Sequence, residues 1–138
     1  MKYLLDTNIC IYLIKQFPPE VQERFAQCYV GDVGISAITL AELRYGVECS
    51  GEERVKNAKA LRNLMEDLSV MPFEEDSAQA YGILRATAPK QKGGALDKFI
   101  ASQARALNCV LVTNNEKDFR HFPGLRIENW VTNHSLTT

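Results

Sequence analysis

Three carboxylates stand in places where a folding chain has reason to avoid them. Asp6 ends the opening apolar run, in "YLLDTN" (Tyr3 to Asn8). Glu42 lies in "AITLAELRYGV", which is apolar nearly all round when wound as a helix and should be largely buried. Ile38, Ala41 and Tyr45 share its side at helical spacing, and Leu40, Leu43 and Val47 cover the other. Asp97 lies in "LDKFIASQARAL", where Leu96, Ile100, Ala104 and Leu107 form the apolar stripe and Ala101 widens it. Lys98, Ser102 and Arg105 hold the polar face opposite. A carboxylate taken from water needs a counter-charge or a shell of hydrogen bonds. No lysine or arginine is evidently placed to supply the charge. One divalent cation would answer all three needs, because hard ions such as magnesium take carboxylate oxygens and keep several waters. Simpler readings stand beside this one. Asp6 and Asp97 would each serve as helix N-caps, and Glu42 could pair at a helix edge with Arg44 or Arg85.

"VTNNEKDF" offers further groups to the same chemistry. The Thr113 hydroxyl can orient a carboxylate or a water. Asn115 can support a metal-bound water, although a neutral amide contributes less than an acid. Asp118 can ligate through water or cap the turn before Phe119, and Glu116 reads as solvated.

The elements that must position these groups alternate along the chain. Lys2 to Leu5 reads as a buried strand that continues into the helix "ICIYLIK", and "PEVQERFAQC" as a second short helix with Pro early. The strand "VGIS" runs straight into the helix that carries Glu42. "EERVKNAKALRNLMEDL" is amphipathic, with Val55, Ala58, Leu61, Leu64, Met65 and Leu68 on one face. "SVMPF" is a strand ended by Pro72, a helix spans residues 76–88, and "PKQKGG" is a flexible basic stretch before the helix of Asp97. The strands "CVLVT" and "LRIEN" follow, the second leading into Trp130. This alternation predicts an α/β fold, a three-layer α/β/α sandwich with a mainly parallel central sheet. In such sheets ligands gather beyond the carboxyl ends of the strands. Asp6 follows the first strand there, and Thr113 and Asn114 follow "CVLV" along the same edge.

The 138 residues suit a single domain over residues 1–131 with a C-terminal tail over residues 132–138. A formal charge of −1 excludes a protein that coats nucleic acid by field strength alone. It leaves room for a nucleic-acid enzyme with local basic groups or metal ions. His121 and His134 lie outside any cluster, so general-base chemistry by histidine is not indicated. Cys10, Cys28, Cys49 and Cys109 are scattered, and read as reduced small hydrophobes rather than a disulfide frame or a zinc site. No apolar run approaches the ~18 residues of a membrane span, and no secretory signal opens the chain. A cytoplasmic protein is expected.

Four blocks, "LLDTNICIYLIK", "ITLAELRYG", "GGALDKFIASQA" and "VLVTNNEKDF", in this order and at these intervals, resemble the PIN-domain ribonucleases of the VapC toxin kind. The closing "GLRIENW" is similar to the ending typical of those toxins, so the resemblance covers nearly the whole chain. It implies a PIN-like fold and carries the family's three acids onto Asp6, Glu42 and Asp97 as metal ligands. Where many relatives have a fourth acid, this chain has Asn115 with Asp118 just beyond, which leaves the number of metal ions open. The resemblance further implies a Mg2+- or Mn2+-dependent endoribonuclease, a homodimer, and a VapB-like antitoxin that binds and blocks it. The implied substrate is a specific structured RNA, initiator tRNA being a target of several members. Lys15, Arg44, Lys90, Lys92 and Lys98 are candidates for holding the RNA backbone, against ordinary surface charge as the alternative. A rival reading is a catalytically silent binding module whose acidic pocket receives a basic partner peptide. A haloacid-dehalogenase-type phosphatase would need an acid where Asn8 stands, and a receiver domain would need paired acids near its first strand. Phe17, Tyr29, Trp130 and the methionines are assigned to core or interface.

Overall fold

The computed structural model of the chain describes residues 1–87 and 94–132. A first strand β1 (Tyr3–Leu5) leads into α1 (Thr7–Lys15) and α2 (Pro19–Ala26), the latter opened by Pro19 at a position where no helical N–H is missed. Strand β2 (Val33–Ser36) passes directly into α3 (Ala37–Glu48), with the Ser36 hydroxyl capping the helix by accepting from the Ile38 N–H at 3.0 Å. A 3₁₀ turn (Gly51–Glu53) precedes α4 (Arg54–Met65), β3 (Ser69–Met71) and α5 (Glu75–Thr87). The chain continues with α6 (Ala95–Ala106), β4 (Val110–Val112), the short α7 (Glu116–Phe119) and β5 (Ile127–Glu128). Helix α7 was not expected; its four residues are too few to show a periodicity.

All the pairings are parallel, in the order β3-β2-β1-β4-β5. Alternation along the strands builds a separate core on each face of the sheet. Leu5 and Val112 join Ile9, Cys10, Leu13, Val21, Leu43, Leu61 and Trp130 on one face. Leu4 and Leu111, their immediate neighbours, join Leu84, Ile100, Ala104 and Phe119 on the other. Helices α1 to α4 therefore cover one side and α5 to α7 the other, which is the three-layer arrangement expected. β1 lies at the centre, and the chain leaves it toward β2 but leaves β4 toward β5. That reversal opens a crevice at the carboxyl ends of β1 and β4. Gly34 has no side chain for a steric reason: a Cβ there would meet the Ser69 carbonyl oxygen of β3 at 2.8 Å.

Several side chains depart from the sequence reading. Helix α3 is not largely buried. Thr39 and Leu43 are its buried residues, and Tyr45 is 72% exposed, because no described element covers the side of Ala41 and Tyr45. Val55 is 78% exposed: it lies in the first turn of α4, while the helix meets the core later through Leu61, Leu64 and Met65. On α6 the buried arc is wider and rotated. Ser102 is fully buried, its hydroxyl donating to the Lys98 carbonyl at 2.6 Å, whereas Leu96 of the supposed stripe is exposed. Of the residues assigned to core or interface, Trp130 is buried, whereas Phe17 and Tyr29 are exposed, which rules out the core for them and leaves the interface. The basic stretch "PKQKGG", with Lys90 and Lys92, falls almost wholly on residues outside those described, as do residues 133–138 of the tail and His134. The four cysteines are free thiols. Among the described residues no helix is long and apolar enough to cross a membrane.

Candidate active site

Asp6 is the first residue past β1, its N–H still bonded to the Val112 carbonyl of β4 at 3.0 Å. The chain turns there into α1, and one Asp6 carboxylate oxygen accepts the Ile9 N–H at 3.0 Å. The simple reading is therefore true: Asp6 caps a helix. It does not exhaust the carboxylate, which also takes a hydrogen bond from the Thr113 hydroxyl. Thr113 is fully buried at the end of β4, and its oxygen in turn accepts the Asn115 N–H at 2.9 Å. Burial pushes the Asp6 carboxyl up to about 6, the Asp97 charge adds to this, and the bonds from Thr113 and Ile9 pull the other way.

Asp97 is not an N-cap. Gly94 occupies that position, and Asp97 sits in the first turn of α6, where its carboxylate takes a hydrogen bond from the Gly94 backbone. The sequence alternative is thus corrected. The reason lies in where the helix begins, at Ala95 rather than after Asp97. The Asp97 carboxyl is raised above its usual range first by burial, then by the charges of Glu42 and Asp118. Glu42 does not pair with Arg44 or Arg85. Its Oε1 accepts the Thr7 hydroxyl at 2.8 Å, while Arg85 donates to the Tyr81 hydroxyl. Asp118, on α7, accepts from the Asn115 side-chain amide through Oδ2, so its carboxylate does not cap the turn before Phe119. Glu116 is exposed, as expected, and accepts from Asn129.

The tertiary structure therefore gathers Asp6, Glu42, Asp97 and Asp118 close enough to act electrostatically on one another, in pairs that run Asp6–Asp97, Asp97–Glu42 and Asp97–Asp118. Thr113 and Asn115 brace two of them. Among the described residues the ion pairs are Arg24–Glu128, Arg54–Glu48 and Lys56–Glu53, and none reaches these acids. Thr7 is the residue that the sequence reading missed. The available signal was its position directly after Asp6: with Asp6 capping the helix, the Thr7 hydroxyl is left free for another partner. Beside Thr7 and Glu42 lies a mainly apolar hollow lined by Ile11, Ile14, Leu43 and Val47.

The donor set fits a hard divalent cation: carboxylate oxygens that no ion pair among the described residues reaches, and two carboxyls that burial and neighbouring acids raise. In the arrangement seen, each acid is tied to its own neighbour instead of a common centre. No group of three or more His, Cys, Asp or Glu side chains among the described residues stands ready to hold a metal ion.

Comparison with known proteins adds an independent finding. The PIN domain family matches residues 3–125. Ribonuclease VapC2 of Haemophilus influenzae is 39% identical over 133 residues, covering 95% of this chain and 99% of its own length. The tRNA(fMet)-specific endonuclease VapC of Shigella flexneri is 37% identical over 132 residues, covering 94% and 98%. The crystal structure of DNA-bound VapBC from Salmonella typhimurium superposes with a TM-score of 0.87 at 36% identity, over 95% of this chain and 99% of that one.

Proposed function

The chain belongs to the PIN-domain family, among the VapC ribonucleases, and from that premise we propose that it is a metal-dependent endoribonuclease toxin held in check by a VapB-like antitoxin. Its substrate is a specific structured RNA. The observation that carries the reading is that Asp97 lies within electrostatic reach of Asp6, Glu42 and Asp118, while none of the ion pairs among the described residues reaches these four acids. Relatives named as ribonucleases and endonucleases do not favour the silent binding module.

Asp6, Glu42 and Asp97 would hold Mg2+ or Mn2+, with Asn115 or Asp118 at the margin of the site. When bound there, the metal supplies Lewis-acid stabilisation of the scissile phosphate and a water of lowered pKa. The protein's own part is positioning. Thr7 keeps Glu42 turned toward the crevice, and Thr113 orients the Asp6 carboxylate while the helix N-terminus takes its other lone pairs. Asn115 restrains Asp118. Among the described residues no histidine bonds to these acids, so water attack is expected to leave a 5′-phosphate and a 3′-hydroxyl. Lys15, Arg44 and Lys98, with Lys90 and Lys92, are proposed to steer the RNA backbone.

The name of the Shigella flexneri relative makes initiator tRNA the first substrate to try. The VapBC complex from Salmonella typhimurium supports an antitoxin partner. The apolar hollow beside Glu42 gives such a peptide a place to anchor while a basic side chain meets the acids. A cytoplasmic homodimer completes the proposal.

The deciding experiment incubates the purified chain with total cellular RNA, with and without magnesium, beside Asp97→Asn, and maps new 5′ ends. Discrete 5′-phosphate ends that need both the metal and Asp97 are expected. Ends that persist with Asp97→Asn or in EDTA would point to a different chemistry. Thr7→Val tests the positioning argument, since it removes the hydroxyl on Glu42 at nearly constant shape. It should lower kcat about tenfold, the cost of ~1.4 kcal/mol in transition-state stabilisation. Thermal unfolding should stay near the parent value. Unchanged turnover would remove Thr7 from the site.

A further inference from the structure

Thr113, Asn114 and Asn115 are consecutive, and the outer two send their side chains to acids: Thr113 to Asp6, Asn115 to Asp118. Asn114 between them faces away from this work and is held on both sides. Its Nδ2 donates to the Tyr12 hydroxyl at 3.2 Å, and its Oδ1 accepts from the Asn129 amide at 3.1 Å. Asn129 is itself fixed: its Oδ1 accepts the Val131 N–H at 2.9 Å, and its Nδ2 also reaches Glu116 at 3.1 Å. One chain of hydrogen bonds thus joins α1, the turn after β4 and the segment after β5.

We infer that Asn114 is a positioning residue: through Tyr12 and Asn129 it holds the turn after β4 in the arrangement that offers the Thr113 hydroxyl to Asp6 and the Asn115 amide to Asp118. The inference rests on the ribonuclease reading given above for its kinetic part only.

Several physical points support it. Asn114 uses both ends of its amide, donor and acceptor, so an apolar residue there would lose both bonds. The Tyr12 ring packs against the core on the α1 face, so its hydroxyl is a fixed anchor instead of a mobile one. Tyr12 also rides on the helix that Asp6 caps, six residues and about 9 Å along its axis at 1.5 Å per residue. The bond from Asn114 therefore references the turn to the same rigid body that carries Asp6. β5 is two residues long, and Asn129 adds to the hold that buried Trp130 and Val131 have on the segment after it. The fold itself does not depend on the chain of amides, because Leu111, Val112, Trp130 and Val131 are buried independently of it.

The test uses Tyr12→Phe, which deletes one oxygen, and Asn114→Ala, with the full chain in each case. Hydrogen exchange of the Asn115 N–H, the donor to Thr113, reads the turn directly without reference to catalysis. It should quicken about tenfold in both variants, as expected for loosening confined to one segment. Because misplacing a reacting group by ~1 Å can cost up to about a hundredfold, kcat should fall about tenfold with KM nearly unchanged and thermal unfolding close to the parent. Adding Tyr12→Phe to Asn114→Ala should cost nothing further, since both break the same link. Unchanged protection of the Asn115 N–H in Asn114→Ala would overturn the inference, and so would losses that multiply in the double variant. A parent protein that cuts no RNA would remove the ribonuclease reading while leaving the exchange result to stand.

Discussion

Asp6→Asn should abolish most of the cleavage and at the same time make the metal-free protein more stable at neutral pH. The two effects share one cause. Asparagine keeps a carbonyl oxygen for the Ile9 N–H, so α1 stays capped. The substitution removes a negative charge from a buried place close to Asp97. For catalysis that charge is the means of holding a cation, and removing it should lower turnover by about a hundredfold or more, the usual cost of deleting a preorganised electrostatic group. For stability the sign is opposite. A carboxyl raised to about 6 in the folded chain resists ionising there, whereas in the unfolded chain it ionises freely near 3.8. The stability that its neutral form contributes is fully present below the unfolded value and is lost as pH rises through about 6. A shift of roughly two units corresponds to about 3 kcal/mol above pH 7. Thermal unfolding in EDTA at pH 4, 6 and 8 checks this: Asp6→Asn should melt above the parent at pH 8 and level with it at pH 4. A gap independent of pH would mean that the Asp6 carboxyl is not raised in the folded chain. Full cleavage by Asp6→Asn together with either Glu42→Gln or Asp97→Asn would end the proposed site.

Removing divalent metal is the second large effect. EDTA should stop cleavage, and Mg2+ or Mn2+ should restore it. The same ions should raise the melting temperature of the parent, since a ligand bound only by the folded state stabilises it by about 2.7 kcal/mol at a hundred times its Kd. In this protein the gain has a visible source. As placed, Asp6 and Asp97 repel each other and Asp97 repels Glu42 and Asp118, and none of the ion pairs among the described residues reaches them. A cation among them would convert these repulsions into attractions. Because Asp6 must be ionised to take part, binding should weaken as pH falls through about 6. Calorimetric titration with Mn2+ at pH 7.5 and pH 5.5 reads this, and Asp6→Asn with Asp97→Asn in one chain should show no heat of binding. A melting temperature indifferent to both ions, in a protein that still cleaves RNA, would require a metal-free mechanism.

Much of the fold was legible along the chain because its determinants are local. Apolar runs ending at Asp6 and Thr113, Ser36 before an apolar helix, and Pro72 after "SVM" each mark a boundary by backbone chemistry alone. The order of β and α elements then dictates a parallel sheet, and a parallel sheet dictates the edge at which Asp6 and Thr113 meet. Asp97 could be singled out because a charged residue beside an apolar stripe is costly wherever the helix packs, whereas Glu42 was singled out on a burial of α3 that the structure does not show. Helical spacing names the residues that share a face, but it does not say what lies opposite. Hence Val55 and Tyr45, apolar and correctly phased, are exposed, and Ser102, polar and assigned outward, is buried.

Residue types and their order along the chain set the chemistry available: three carboxylates with Asp118 as a candidate fourth, their hydroxyl and amide neighbours, and strands and helices that alternate into a parallel sheet. Tertiary structure alone decided which neighbour each acid would take. Thr7 and Glu42 are 35 residues apart, and Tyr12 and Asn114 are 102 apart. Pairings of that kind depend on how α1, α3 and the turn after β4 are stacked, because a hydrogen bond needs its two atoms within about 3 Å. Residue type and local periodicity set what a side chain can bond to, and only the packing of distant segments sets what it meets.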